Sequence, residues 1–169
     1  FDMDGVLYRG LDVIPGAREL LADLTAHAIP YRLLTNNASL TQTQFAAKLA
    51  TMGIDVPAAN IMTSSAATAE YLSQVAPQGA RILPIGLDGV RVALQDKGFV
   101  LVDDRPADYV VVGIDWTATY EKLKRASLAI RDGARFIGTN ADKTFPSAEG
   151  IIPGNGSLLA FLEAATDVK

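Results

Sequence analysis

Phe1-Asp2-Met3-Asp4-Gly5-Val6-Leu7-Tyr8 opens the chain, and Leu33-Leu34-Thr35-Asn36-Asn37-Ala38-Ser39 follows after one helical stretch. In the first segment two carboxylates at i and i+2 leave a strand and can point to the same side. Gly5 then permits a sharp turn and close approach of backbone to a ligand. Carboxylates this close repel one another unless a cation lies between them or one holds a proton. Mg²⁺ is the natural cation for an all-oxygen site. Taken alone, Asp-x-Asp-Gly is equally an ordinary turn. In the second segment a strand ends in a hydroxyl and two amides just before a helix N-terminus. Exposed N–H groups and the helix dipole favour an anion there. Alone, it is also a plain polar turn with Ser39 as N-cap.

Outward from these segments, helices and short strands alternate. Leu20, Leu21, Leu24 and Ala28 recur at helical spacing after Pro15-Gly16 and predict a helix near 16–28. Tyr31–Leu34 is a short strand-like run ending at Thr35. Ser39-Leu40-Thr41-Gln42 has the form of a capping box, and the helix it opens carries Phe45, Leu49 and Met52 and stops at Gly53. Further helices are expected over 64–75, 90–97, 120–131 and 157–165, and strands over 81–85, 99–102, 109–114 and 134–138. This alternation indicates an α/β fold with a mainly parallel sheet, whose strand C-termini gather the ligand-binding loops. Ala76-Pro77-Gln78-Gly79 is the best seam between parts of the chain.

Composition narrows the function classes. The 169 residues are 49% apolar and 20% charged, the balance of a folded domain. Lys plus Arg is 15 and Asp plus Glu 19, so the net charge is 15 − 19 = −4, and the cations are scattered. That argues against a nucleic-acid surface. No apolar run approaches the ~20 residues of a membrane span, and no signal peptide is visible. There is no Cys and one His, which removes disulfides and thiolate sites and disfavours zinc chemistry. The expectation is a soluble, cytoplasmic protein with no nucleic-acid or membrane partner.

Other marked residues have plain readings. Gly154-Asn155-Gly156 could open a dinucleotide fingerprint, but Leu159 stands at the third-glycine position, so a helix-start turn is expected. No Gly-Lys-Thr or Gly-Lys-Ser exists, which excludes a P-loop. His27 is read as a helix-end residue, Trp116 as packing, and Asp103-Asp104 as a turn.

Taken together and in order, the two opening segments resemble the haloacid dehalogenase superfamily of phosphatases. The resemblance is to its subclass IIA branch, with 4-nitrophenylphosphatase, phosphoglycolate phosphatase and ribonucleotide monophosphatase-like enzymes. Phe136-Ile137-Gly138-Thr139-Asn140-Ala141-Asp142 and Ile152-Pro153-Gly154-Asn155-Gly156-Ser157 are similar to later segments of that branch. The resemblance implies a Rossmann-like core over 1–78, resumed at 149–169, with a large α/β cap inserted over 79–148. It implies Mg²⁺-dependent hydrolysis of a small phosphorylated metabolite through an aspartyl-phosphate. Asp2 matches the nucleophile and Asp4 the general acid/base. The Asp2 carboxylate and the Asp4 carbonyl match Mg²⁺ ligands. Thr35 and Asn36, with Asn37 beside them, match the phosphate-holding motif, and Asn140 and Asp142 a cap loop that faces the substrate. A homodimer is compatible with it. The family's Gly-Lys-Pro lysine and Asp-rich loop do not appear, and Lys169 lacks that context, so the chain reads as truncated at both ends. A phosphomutase, a phospho-accepting binding module and a non-catalytic relative remain open alternatives.

Overall fold

The computed structural model describes residues 1–147 and 149–168; Lys169 lies outside the described residues. Phe1 and Asp2 run parallel to β3 (Leu33–Thr35): Asp2 bridges Leu34, whose N–H donates to the Phe1 carbonyl at 2.8 Å. β4 (Ile61–Thr63) pairs in parallel with β3, Thr35 opposite Thr63, so β3 lies between the opening segment and β4. After the opening turn the chain forms a small antiparallel ribbon, β1 (Tyr8–Arg9) with β2 (Asp12–Val13). Two helices pack beside it, α1 (Ala17–Ala26) and α2 (Gln42–Thr51). Met3, Leu7, Tyr8, Leu21, Leu33, Phe45, Leu49 and Ile61 form their shared buried cluster.

The capping box at α2 stands two residues later than the sequence suggested. Thr41 Oγ1 accepts from the Gln44 N–H at 3.1 Å, and Gln44 Oε1 accepts from the Thr41 N–H at 2.8 Å. Ser39 is committed elsewhere: its N–H donates to Asn37 Oδ1 at 2.9 Å, and its carbonyl accepts from Gly89 N at 3.2 Å.

The following elements build a four-stranded parallel sheet in the order β6-β5-β7-β8. They are α3 (Ser64–Val75), β5 (Arg81–Ile85), α4 (Asp88–Asp96), β6 (Val100–Leu101), β7 (Tyr109–Val112), α5 (Tyr120–Arg131) and β8 (Arg135–Gly138). Side chains alternate across it, as strand geometry demands. Ile82, Tyr109 and Val111 face one buried cluster with Ala69, Leu72, Val90 and Leu94. Leu83, Ile85, Val110 and Val112 face another with Leu123, Ala126, Ile130 and Leu162. Thus α3 and α4 cover one face, and α5 and the last helix, α6 (Asn155–Thr166), the other. Leu72 of α3 and Ile82 of β5 thus share one buried cluster across residue 78.

Between β8 and α6 lies an antiparallel hairpin, β9 (Thr144–Ser147) and β10 (Gly150–Pro153), Gly150 opposite Ser147. No strand was expected there, because Pro146 and Pro153 break the strand pattern. Among the described residues no helix is long and apolar enough to cross a membrane.

The two layers meet at Gly89 near the start of α4. A Cβ there would stand 2.3 Å from the Ala38 carbonyl oxygen and 2.5 Å from that of Leu40. Gly to Ala inside a helix ordinarily stabilises by about 1 kcal/mol. Here the neighbours are backbone atoms that cannot rotate away, so Gly89→Ala is expected to destabilise by about 1–3 kcal/mol. Urea unfolding measures this, and a stabilised variant would contradict the contact.

Candidate active site

The site begins where the opening strand ends. Asp2 Oδ1 accepts the Met3 N–H at 2.8 Å, which fixes one carboxylate oxygen and leaves the other for chemistry. The chain then turns at once: the Leu7 N–H donates to the Met3 carbonyl at 2.9 Å, and Gly5 N–H to the Tyr8 carbonyl at 2.8 Å. Gly5 takes φ 82°, the left-handed region in which a side chain would be strained. This turn sets Asp4 over buried Tyr8, whose hydroxyl donates to Asp4 Oδ2 at 3.4 Å. Lys48 Nζ sits 4.4 Å from the centre of the Tyr8 ring.

Burial pushes the Asp4 carboxyl above its ordinary range, and the nearby Asp2 charge adds to that. Lys48 and the Tyr8 hydroxyl work against the shift without cancelling it. Burial and Asp4 together push the Tyr8 hydroxyl upward as well, so it remains a donor at neutral pH. Tyr8 and Lys48 were not singled out from the sequence. Tyr8 follows Asp4 at i+4, but Lys48 reaches the site only through tertiary packing.

The second segment lies alongside. Thr35 Oγ1 accepts the Asn37 N–H at 3.1 Å, and Asn37 Oδ1 in turn accepts the Ser39 N–H. The Asn36 carbonyl accepts from Ser64 Oγ at 2.7 Å and from Asn140 Nδ2 at 2.8 Å, while Asn36 Nδ2 donates to Asp142 Oδ2. Asn140 and Asp142 thus come to the site by gripping Asn36.

A half-open cleft of about 230 Å³ is lined by Asp2, Asp4, Asn36 and Asn37. Asn140, Asp142, Thr144, Phe145, Pro146, Gly154 and Asn155 line it as well, with Ile114 and Trp116. Thr35 opens instead onto a shallower groove on the other side of Asp2, with Met62, Thr63 and Ser64. Trp116, read as packing, is half-exposed and packs against the hairpin: its ring stands 6.1 Å from that of Phe145, tilted by 56°. His27 keeps its structural place, a ring nitrogen 2.8 Å from the Asp23 carbonyl oxygen at the end of α1. Asp103-Asp104 lie in a bend.

The charge balance of the cleft is informative. Its lining has three carboxylates and, among the described residues, no lysine or arginine. A phosphate dianion could settle there only with a cation to offset that charge. Among the described residues no group of three or more His, Cys, Asp or Glu converges on a metal position. Asp2 and Asp4 offer oxygen only, which suits Mg²⁺, an ion held by one or two carboxylates plus water and phosphate oxygens.

Comparison with known proteins gives a consistent result. Residues 1–100 match the family model of haloacid dehalogenase-like hydrolases. The acid sugar phosphatase of Staphylococcus aureus strain USA300 is 41% identical over 168 residues, covering 99% of this chain and 64% of that protein. The chain therefore spans about two thirds of the length of this curated relative. The crystal structure of 4-nitrophenylphosphatase from Thermotoga maritima superposes with a TM-score of 0.92 at 37% identity, covering 99% of this chain and 64% of that one. Glycerol phosphate phosphatase from Mycobacterium tuberculosis, solved with magnesium, gives 0.94 at 32% identity, covering 99% and 51%.

The raised Asp4 predicts a pH-dependent stability effect. Its folded-state pKa lies above the ordinary value of 3.8, so the folded state binds the proton more tightly than the unfolded state. The cost of ionising it is absent below about 3.8 and grows as pH rises through the raised value. With chelator present, Asp4→Asn should raise Tm at pH 7, and the gain should shrink as the pH is brought below 4. A gain independent of pH would contradict this account of the Asp4 carboxyl.

Proposed function

Because the chain belongs to the haloacid dehalogenase-like hydrolase family, we propose that it carries the nucleophile half of a Mg²⁺-dependent phosphatase. The reaction is hydrolysis of a phosphate monoester of a small, ring-bearing alcohol such as a sugar. The observation that carries this reading is the convergence of Asp2, Asp4, Asn36 and Asn37 on one cleft that Trp116 and Phe145 also line. The enzymes named above support it, an acid sugar phosphatase most directly.

On this reading the free oxygen of Asp2 attacks phosphorus and the ester oxygen leaves, giving an aspartyl-phosphate. Asp4, kept protonated to a higher pH than usual, gives its proton to the departing alkoxide. The resulting Asp4 carboxylate then takes a proton from water as that water attacks the phosphorus, which frees phosphate and restores Asp2. Thr35, on the groove side of Asp2, accepts from Asn37 and so still has its hydroxyl hydrogen to offer to a phosphoryl oxygen carried on Asp2. The Asp2 carboxylate and the Asp4 carbonyl would hold Mg²⁺, which supplies charge neutralisation for the transferring phosphoryl group. The four-stranded sheet and the β9–β10 hairpin act as the cap, excluding water and supplying leaving-group contacts.

Trp116 and Phe145 select the alcohol. The two tilted rings offer apolar surface to a leaving group with an apolar face of its own, and Asp142, with one carboxylate oxygen on Asn36, offers the other to its hydroxyls. Assay of the full-length protein with Mg²⁺ on a panel of phosphate esters tests this reading. Asp2→Asn should lower turnover of 4-nitrophenyl phosphate by at least ~10³-fold, about 4 kcal/mol of transition-state stabilisation. Near-normal turnover would remove Asp2 from the role. Trp116→Ala should lower kcat/KM for sugar phosphates by about 10-fold, roughly 1.4 kcal/mol, and leave glycerol phosphate nearly unchanged. Equal losses on both would remove the aromatic selection.

A further inference from the structure

The segment Gly154-Asn155-Gly156-Ser157 does more than start a helix. Gly154 at the start of α6 provides no side-chain cap. The free N–H groups there are used by another part of the chain: Gly154 N–H donates to the Lys143 carbonyl at 2.9 Å, and Gly156 N–H to the Asp142 carbonyl at 2.8 Å. Ser157 Oγ adds a bond to the Lys143 carbonyl at 2.8 Å. The approach is so close that side chains are excluded. A Cβ on Gly154 would stand 2.4 Å from the Asp142 oxygen, and one on Gly156 2.4 Å from the Ala141 oxygen.

Asn155 lies at the centre of this contact and is 2% exposed. Its Nδ2 donates to the Val112 carbonyl at the end of β7, at 3.1 Å, and to the Asn140 carbonyl at 2.8 Å. One buried amide therefore ties the cap sheet to the loop at 140–142. From that loop the chain of bonds continues. Asn140 Oδ1 accepts the Asp142 N–H at 3.1 Å, Asn140 Nδ2 donates to the Asn36 carbonyl at 2.8 Å, and Asp142 accepts from the Asn36 amide. Every link from Val112 to Asn36 is a hydrogen bond between named atoms.

We propose that Asn155 is a positioning residue: through Asn140 and Asp142 it holds Asn36, and with it the Thr35-Asn36-Asn37 loop, in the geometry that receives the phosphoryl group. Asn155 touches no reacting atom. It sets where the cap loop stands, and the loop sets where Asn36 stands. The kinetic part of the test rests on the phosphatase reading above; the exchange part does not.

The test compares the full-length protein with Asn155→Ala, Asn140→Ala and the double variant. Hydrogen–deuterium exchange is followed by peptide. In Asn155→Ala, exchange over 35–38 should rise at least tenfold, with 160–166 in the body of α6 unchanged. A change confined to 140–143 and the start of α6 would overturn the proposal, since a purely structural helix start predicts that pattern. If Asn155→Ala does not fold, Asn140→Ala carries the measurement, because it cuts the same chain one link later at a partly exposed side chain. It should raise exchange over 35–38, and unaltered exchange there would overturn the proposal.

In kinetics on 4-nitrophenyl phosphate, each single variant should lose about tenfold in kcat/KM. The double variant should be within twofold of the worse single, because both cut one chain. Losses that multiply would overturn the proposal. A parent protein without phosphatase activity would sink the functional reading alone, and the exchange result would still decide the role of Asn155.

Discussion

A single parallel bridge, Asp2 against Leu34, brings the first carboxylate alongside the end of β3. Everything at the site depends on this pairing. It puts two strand ends side by side, and a strand end is where a chain turns and exposes polar groups. Gly5 turns the first away at positive φ. Asn37 turns the second by accepting the Ser39 N–H. A shift in register by one residue would bury Asp2 and present Met3 instead, since strand side chains alternate.

The pairing also creates an electrostatic difficulty. Asp2 and Asp4 have like charge, and Asp4 is partly withdrawn from water. The fold meets this with a layered arrangement: Tyr8 donates to Asp4, and Lys48 lies over the Tyr8 ring. Neither contact fully relieves the carboxyl, which keeps a raised affinity for its proton. Perturbed carboxyl pKa values of this kind cluster at functional sites. Asp115 is the contrasting case, with Lys122 Nζ at 3.0 Å and the Thr117 N–H and hydroxyl on its other oxygen. The Asp115 pKa is accordingly lowered, its hydrogen bonds outweighing the largest single influence, burial.

Local pattern made much of the fold legible. The helices at 64–75 and 120–131 and the strand at 81–85 stand at the expected residues, because helical spacing, Thr caps and β-branched runs are local signals. What local pattern hides is whatever tertiary contact decides. The β9–β10 hairpin carries prolines and takes its place against the cleft rather than from its own propensity. Ser39 looks like a cap, yet Asn37 and Gly89 claim its backbone first. Trp116 reads as a packing residue, and only the hairpin places Phe145 beside it at the cleft. Asn155 looked like part of a turn, because nothing in its neighbours announces Val112 and Asn140 as its partners. Asp2, Asp4, Asn36 and Asn37 were legible as a set because their residue types and order carry the signal without tertiary knowledge.

The glycines of the α6 start have an evolutionary corollary. The contact between 154–157 and 140–143 is made chiefly by backbone atoms: carbonyls of Ala141, Asp142 and Lys143 against glycine N–H and Cα groups. Backbone contacts do not depend on which side chains the loop bears. Ala141, Lys143 and Thr144 are exposed and can be exchanged while the loop keeps its path. A loop held this way separates shape from surface chemistry, so its exposed side chains can change while the glycines stay fixed.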